Sequence, residues 1–130
     1  MTNYKIESTN KSPYIFCEAR TGTLEISGRS IPFEPKEFYK PMHEWINSYC
    51  LTPAPITIFS LRFEYLNKPT RKEITAMLYK LRDLNQSGKS EVSVNWYCDK
   101  EDPDMLDLGE DYLDVFKGNF NIIAIPQAPL

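Results

Sequence analysis

The longest patterned run in the chain is Ile56–Leu66. Thr57, Phe59, Leu61, Phe63 and Tyr65 alternate there with Ser60, Arg62 and Glu64. A period of two puts the first set on one face of a strand. The opposite face begins with Ile56 and Ile58, which predicts cover at that end and a wetter surface toward Glu64. Asn67-Lys68-Pro69 stops the run. Earlier in the chain, Tyr14–Cys17 and Thr23–Ser27 read as two short strands joined by Ala19-Arg20-Thr21-Gly22, with Gly22 free to take a positive φ. Tyr4–Glu7 fits a further edge strand, and Ser27-Gly28-Arg29-Ser30 breaks the alternation. Val92, Val94 and Trp96 mark another strand over Glu91–Tyr97. Asn121–Ile125 is the last, and Pro126 and Pro129 end the pattern in the tail.

Between these strands the period changes to that of a helix. Phe38, Met42, Trp45 and Tyr49 share a face over about Pro35 to Tyr49. Pro35 suits a first helical turn, whereas Pro41 predicts a kink or a fresh start. Ile74, Met77, Leu78 and Leu81 predict a second helix from about Thr70 to Asn85. Thr70-Arg71-Lys72-Glu73 fits a capping box, which makes Thr70 the expected N-cap. Asn85-Gln86-Ser87-Gly88 is its stop. Leu106, Gly109, Leu113 and Phe116 predict a third helix over Met105–Phe116. The order ββαβαβαβ defines an α/β fold: a single domain over residues 1–130, with a mixed sheet of five to six strands and three helices. An N-terminal hairpin is followed by βαβαβ, whose crossovers are right-handed.

Composition narrows the function. The 130 residues carry 15 basic and 18 acidic groups, a net charge of −3. Apolar residues at 42% and charged residues at 25% are those of a globular domain rather than a disordered one. No run approaches the roughly 20 apolar residues of a membrane helix. The N-terminus lacks an apolar signal core, so a cytoplasmic location is expected. A pI near 5.2 argues against nucleic-acid binding. Cys17, Cys50 and Cys98 have no metal or disulfide spacing and read as small buried hydrophobes. His43, the only histidine, has no nucleophile elbow to serve and reads as structural or surface. No phosphate-binding glycine loop appears among the 5 glycines, and no cofactor is expected.

The carboxylates gather between Asp99 and Asp114. Pro103 and a missing central glycine break the EF-hand pattern. The stretch reads as a solvated loop and helix face, with Asp102 and Asp104 near a helix N-terminus, or as a docking surface for a basic partner. A small metal-dependent acidic enzyme is the rival reading. The junction Tyr65–Glu73 is different in kind. A strand ends, a polar turn follows, and a helix opens on a hydroxyl residue beside Arg71 and Lys72. A phosphate there would meet free N–H groups and the positive end of the helix dipole. Plain N-capping by Thr70 is the alternative.

Several segments together resemble the SiaC family of bacterial regulatory phosphoproteins. They are Pro13, Leu24-Glu25-Ile26-Ser27-Gly28-Arg29-Ser30-Ile31-Pro32, Glu37-Phe38-Tyr39 with Pro41 and Trp45, Phe63-Glu64-Tyr65-Leu66-Asn67, Trp96-Tyr97, and Glu101-Asp102-Pro103-Asp104-Met105-Leu106 with Gly109-Glu110. The resemblance implies a fold similar to the STAS-type anti-sigma factor antagonists and a non-enzymatic switch. It implies three protein partners: a Ser/Thr kinase, a PP2C-type phosphatase and a diguanylate cyclase, whose cyclic di-GMP promotes biofilm. The family's phosphothreonine follows the Asn, a place taken here by Lys68, with Pro69 and Thr70 after it. Phe33 likewise stands where the family has Glu. Thr70 becomes the candidate phosphorylation site, or else this member stays in the unmodified state. The expected partner surface comprises Asn67, Lys68, Pro69, Thr70 and Arg71, with Asp102 and Asp104, and phosphate there is expected to act without refolding the domain. A constitutive interaction module with no phosphoswitch is the remaining alternative.

Overall fold

A computed structural model describes residues 1–126, so Pro129 lies outside the described residues. The chain runs β1 (Tyr4–Ile6), β2 (Tyr14–Glu18), β3 (Thr23–Ser30), α1 (Pro35–Tyr49), β4 (Ile56–Leu66), α2 (Lys68–Ser87), β5 (Glu91–Asp99), α3 (Pro103–Phe116) and β6 (Asn119–Ile125). The six strands form one sheet in sequence order. β1, β2 and β3 pair antiparallel, and β3 to β6 pair parallel. This is the mixed sheet and three-helix domain that the order of elements implies. Gly22 takes φ +70° in the β2–β3 turn, where an added Cβ would sit 2.1 Å from the Ile56 carbonyl oxygen. Only glycine fits that approach.

Each crossover joins adjacent parallel strands. With right-handed connections all three helices fall on the same face of the sheet. Leu24, Ile26, Phe59, Leu61, Val94 and Trp96 point to that face and are fully buried against Met42, Ile46, Ile74, Leu78 and Leu81. The other face stays in solvent. Ile56 and Ile58 are 53% and 42% exposed, so the cover expected over the start of β4 is absent. Period two predicted a two-sided strand, but the sequential strand order leaves no helix for the second side.

Two further expectations change at one bulge. The β3–β4 register shifts between Gly28 and Arg29: Gly28 pairs with Phe63 and Arg29 with Tyr65, which leaves Glu64 unpaired. Gly28 accommodates this with φ +110°. One extra residue inverts the alternation beyond it. Tyr65 therefore turns outward and is 50% exposed, not stacked behind Phe63, while Leu66 turns into the core opposite Ser30, which keeps the inward phase of Leu24 and Ile26 on β3. Ser27–Ser30 does not end β3; it carries the strand on to Ser30. Pro41 also fails to break α1, which is continuous over 15 residues. Both Pro41 and Glu37, whose carbonyl loses the i+4 N–H donor, are exposed on the solvent side of the helix. No helix among the described residues is long and apolar enough to cross a membrane.

Candidate functional site

The inward turn of Ser30 builds the site. Its Oγ lies 2.6 Å from the Tyr39 hydroxyl on α1 and 2.9 Å from Thr70 Oγ1 on α2. Thr70 Oγ1 is 2.6 Å from Asn67 Oδ1, and that oxygen also receives the Thr70 backbone N–H at 3.0 Å. Asn67 Oδ1 can only accept, which fixes the direction of the chain. Tyr39 donates to Ser30, Ser30 to Thr70, and Thr70 to Asn67. Ser30, Tyr39 and Thr70 are all 0% exposed. Burial pushes the Tyr39 hydroxyl well above its ordinary range, against weaker opposition from its bond to Ser30, so it keeps the proton it donates.

Asn67, not Thr70, is therefore the N-cap. Its φ of −81° and ψ of 168° are extended, and α2 begins at Lys68 with Pro69 in its first turn. The capping-box spacing at Thr70–Glu73 is coincidental, since Asn67 three residues earlier offers an equally good cap and Pro69 needs no N–H partner. Glu73 turns instead to α1. Its Oε1 lies 3.0 Å from His43 Nε2, and Lys80 Nζ is 3.1 Å from His43 Nδ1. The ammonium can only donate, so Nδ1 accepts and the proton sits on Nε2. Burial, then Lys80, lowers the His43 pKa against the pull of Glu73. The contact has ion-pair geometry, but a depressed pKa and a cation on the second nitrogen make it a neutral imidazole's hydrogen bond at neutral pH. His43 thus ties α1 to α2.

The expected residues separate into two groups. Asn67, Lys68, Pro69, Thr70 and Arg71 come together at the α2 start, with Asn67 half-buried, Thr70 enclosed, and Lys68, Pro69 and Arg71 exposed. Lys72 adds a third exposed cation, and the first turn holds no acid. Asp102 and Asp104 open α3: Asp102 Oδ1 caps Met105 N–H at 3.2 Å, and Asp104 is exposed in the first turn. No hydrogen bond or ion pair among the described residues joins these acids to the α2 start. Tyr112 of α3 does reach it, donating its hydroxyl to the Arg71 carbonyl at 3.0 Å. The sequence reading missed Ser30, Tyr39 and Tyr112 as site residues. Ser30 and Tyr39 lie inside the family-like segments, and Ser30 faces inward because it continues the phase of Leu24 and Ile26 along β3.

Enclosure of Thr70 changes how a phosphate there would act. A group of about −2 charge has no room beside Ser30 and Tyr39 and no cation within the chain of hydroxyls. It would need the first turn of α2 to open, a rearrangement confined to that turn. Cys17 offers no alternative chemistry: burial, with Glu25 nearby, pushes its thiol up to about 12. Among the described residues no three carboxylate, thiol or imidazole groups converge as metal ligands.

The fold and this site define a small α/β domain that presents a latched, cation-rich helix start to solvent, the form of a regulatory binding module. The sequence model of the SiaC family regulatory phosphoproteins matches residues 6–125, and the chain belongs to that family. It is 25% identical over 112 residues to an uncharacterised protein of Pseudomonas aeruginosa, covering 86% of this chain and 88% of that one. The crystal structure of apo-SiaC from Pseudomonas aeruginosa superposes with a TM-score of 0.87 at 25% identity, over 95% of this chain and all (100%) of that one. The structure of the diguanylate cyclase SiaD in complex with its activator SiaC, from the same organism, contains a chain that matches with a TM-score of 0.88 at 24% identity, over 94% and 99% of the two chains.

Proposed function

We propose that this protein is a non-enzymatic, cytoplasmic activator that binds a diguanylate cyclase through the α2 start. One observation carries the choice of surface. Lys68, Arg71 and Lys72 stand exposed in the first two turns of α2, whose first turn holds no acid and whose Glu73 is turned to His43. Cations there oppose the helix dipole, so local stability does not account for them. They suit a partner surface that brings carboxylates, and the hydroxyl latch beneath holds their backbone still. Membership in the SiaC family and the likeness to apo-SiaC support the reading. The relative's complex with SiaD supplies the class of partner.

Control by a Ser/Thr kinase and a PP2C-type phosphatase is part of the proposal. Thr70 is the phosphoacceptor, reached when Asn67 releases it. Opening that turn exchanges a rigid basic surface for a frayed one bearing a phosphate, and the partner is released. Intact-mass analysis after co-expression with the cognate kinase tests this arm. Phosphate mapped to Thr70 supports it. Unmodified protein, still binding the cyclase, leaves a constitutive activator in its place.

A further inference from the structure

The bare face of the sheet is a second feature in need of an occupant. β3 to β6 run parallel, and parallel sheets almost always carry cover on both faces. Here every helix lies on one side.

The pairing register places Tyr14, Ser27, Arg62, Tyr97 and Ile123 in one row across the bare face, from β2 to β6. At about 4.8 Å per strand the row spans roughly 19 Å, the length of a helix of about 13 residues. Tyr and Arg are the residue types that dominate binding energy at interfaces. Arg62 is exposed and has no ion-pair partner among the described residues. Beside the row, at the C-terminal ends of the strands, opens a groove of about 680 Å³. Its walls include Glu64, Asp99, Asp102 and Ile125 as well as Arg62 and Tyr97. None of those three carboxylates is ion-paired among the described residues. Three acids against one guanidinium make the groove a match for a cationic partner.

We propose that the bare sheet face is the docking surface for a basic amphipathic helix of a partner protein. Its apolar side chains rest on Tyr14, Tyr97 and Ile123. Its Lys or Arg side chains face Glu64 and Asp99, and a single acid pairs with Arg62. The helix then supplies the second layer that the parallel strands lack. None of these residues belongs to the α2 start, so the two surfaces can be occupied together.

A titration of isotope-labelled protein tests the proposal. The probe is a synthetic helix of about 14 residues with Leu on one face and Lys, plus one Glu, on the other. Saturable amide shifts should cluster at Ser27, Arg62, Tyr97 and Ile123. Tyr97→Ala and, separately, Glu64→Lys should each weaken binding about tenfold while native amide dispersion is kept. The same helix with Glu in place of Lys should also bind about tenfold more weakly. Equal binding of the acidic helix, or shifts confined to α1, α2 and α3, overturns the proposal. So does a concentration-dependent dimer whose shifts map to this row, because the occupant is then a second copy.

Discussion

Thr70 Oγ1 and Asn67 Oδ1 are 2.6 Å apart, and the same Asn67 oxygen holds the Thr70 backbone N–H at 3.0 Å. One side chain thus caps α2 and closes a buried line of hydroxyls that begins at Tyr39. Because both bonds end on one atom, the cap and the line stand or fall together. Asn67→Ala should cost about 1–2 kcal/mol of unfolding free energy. Thr70→Val should cost about 1–3 kcal/mol by leaving Ser30 without its acceptor. The double variant should lose clearly less than the sum, since the pair shares its partners. Denaturant unfolding of the four proteins measures this, and strict additivity would break the link between cap and line.

Access to Thr70 follows from the same pair. If its hydroxyl reaches a kinase only after Asn67 lets go, weakening the cap should speed the reaction. Asn67→Ala should take up phosphate at Thr70 several-fold faster than the parent chain with the same kinase. Equal rates would show that opening of this turn does not limit modification.

The His43 bridge makes stability depend on pH. Its folded-state pKa lies below the ordinary 6.5, chiefly through burial. The unfolded chain therefore binds more protons over the interval between the two values. The contribution of the neutral ring is complete above 6.5 and is lost as pH falls through the folded pKa. The melting temperature should drop between neutral pH and pH 5, and His43→Gln should flatten the part of that drop that this group supplies. An unchanged profile in the variant would remove His43 as its source.

Gly109 marks where α3 lies hard against the sheet. A Cβ there would come within 2.7 Å of Trp96 Cδ1. Trp96 is fully buried and its Nε1 donates to the Met105 carbonyl at 3.0 Å, so the ring has little freedom to move. Gly109→Ala should destabilise by about 1–3 kcal/mol through overpacking, despite a gain of roughly 1 kcal/mol in helix propensity. A net rise in melting temperature would contradict this packing.

The element order and core faces were legible because long runs such as Ile56–Leu66 and Ile74–Leu81 keep one period. What escaped depends on single residues. Glu64 is one extra residue in β4, and nothing in the alternation shows that its neighbour strand skips it. That one bulge turns Tyr65 out and Leu66 in, and so exposes an aromatic. Ser30 was hidden because the alternation of β3 reads as ending at Ser27, although Ser30 keeps the inward phase of Leu24 and Ile26. The α2 start was found by its Asn-Lys-Pro-Thr chemistry, but two residues that can cap lay three apart, and the spacing could not choose between Asn67 and Thr70. The bare face was hidden for another reason: Ile56 and Ile58 look like buried strand residues, and only the sequential strand order leaves them in solvent.

The α2 start is the centre of the functional reading, and a charge reversal at Lys68 tests it most directly. Lys68 is exposed in the first turn, where an acid suits the helix dipole, so Lys68→Glu should leave the melting temperature unchanged or slightly higher. The measurement is cyclic di-GMP synthesis by a SiaD-type diguanylate cyclase of the same organism, with parent or variant protein added. The unmodified parent should raise the rate, and Lys68→Glu, equally well folded, should lose most of that effect. Full activation by the variant, or no activation by the parent, would contradict this role of the α2 start.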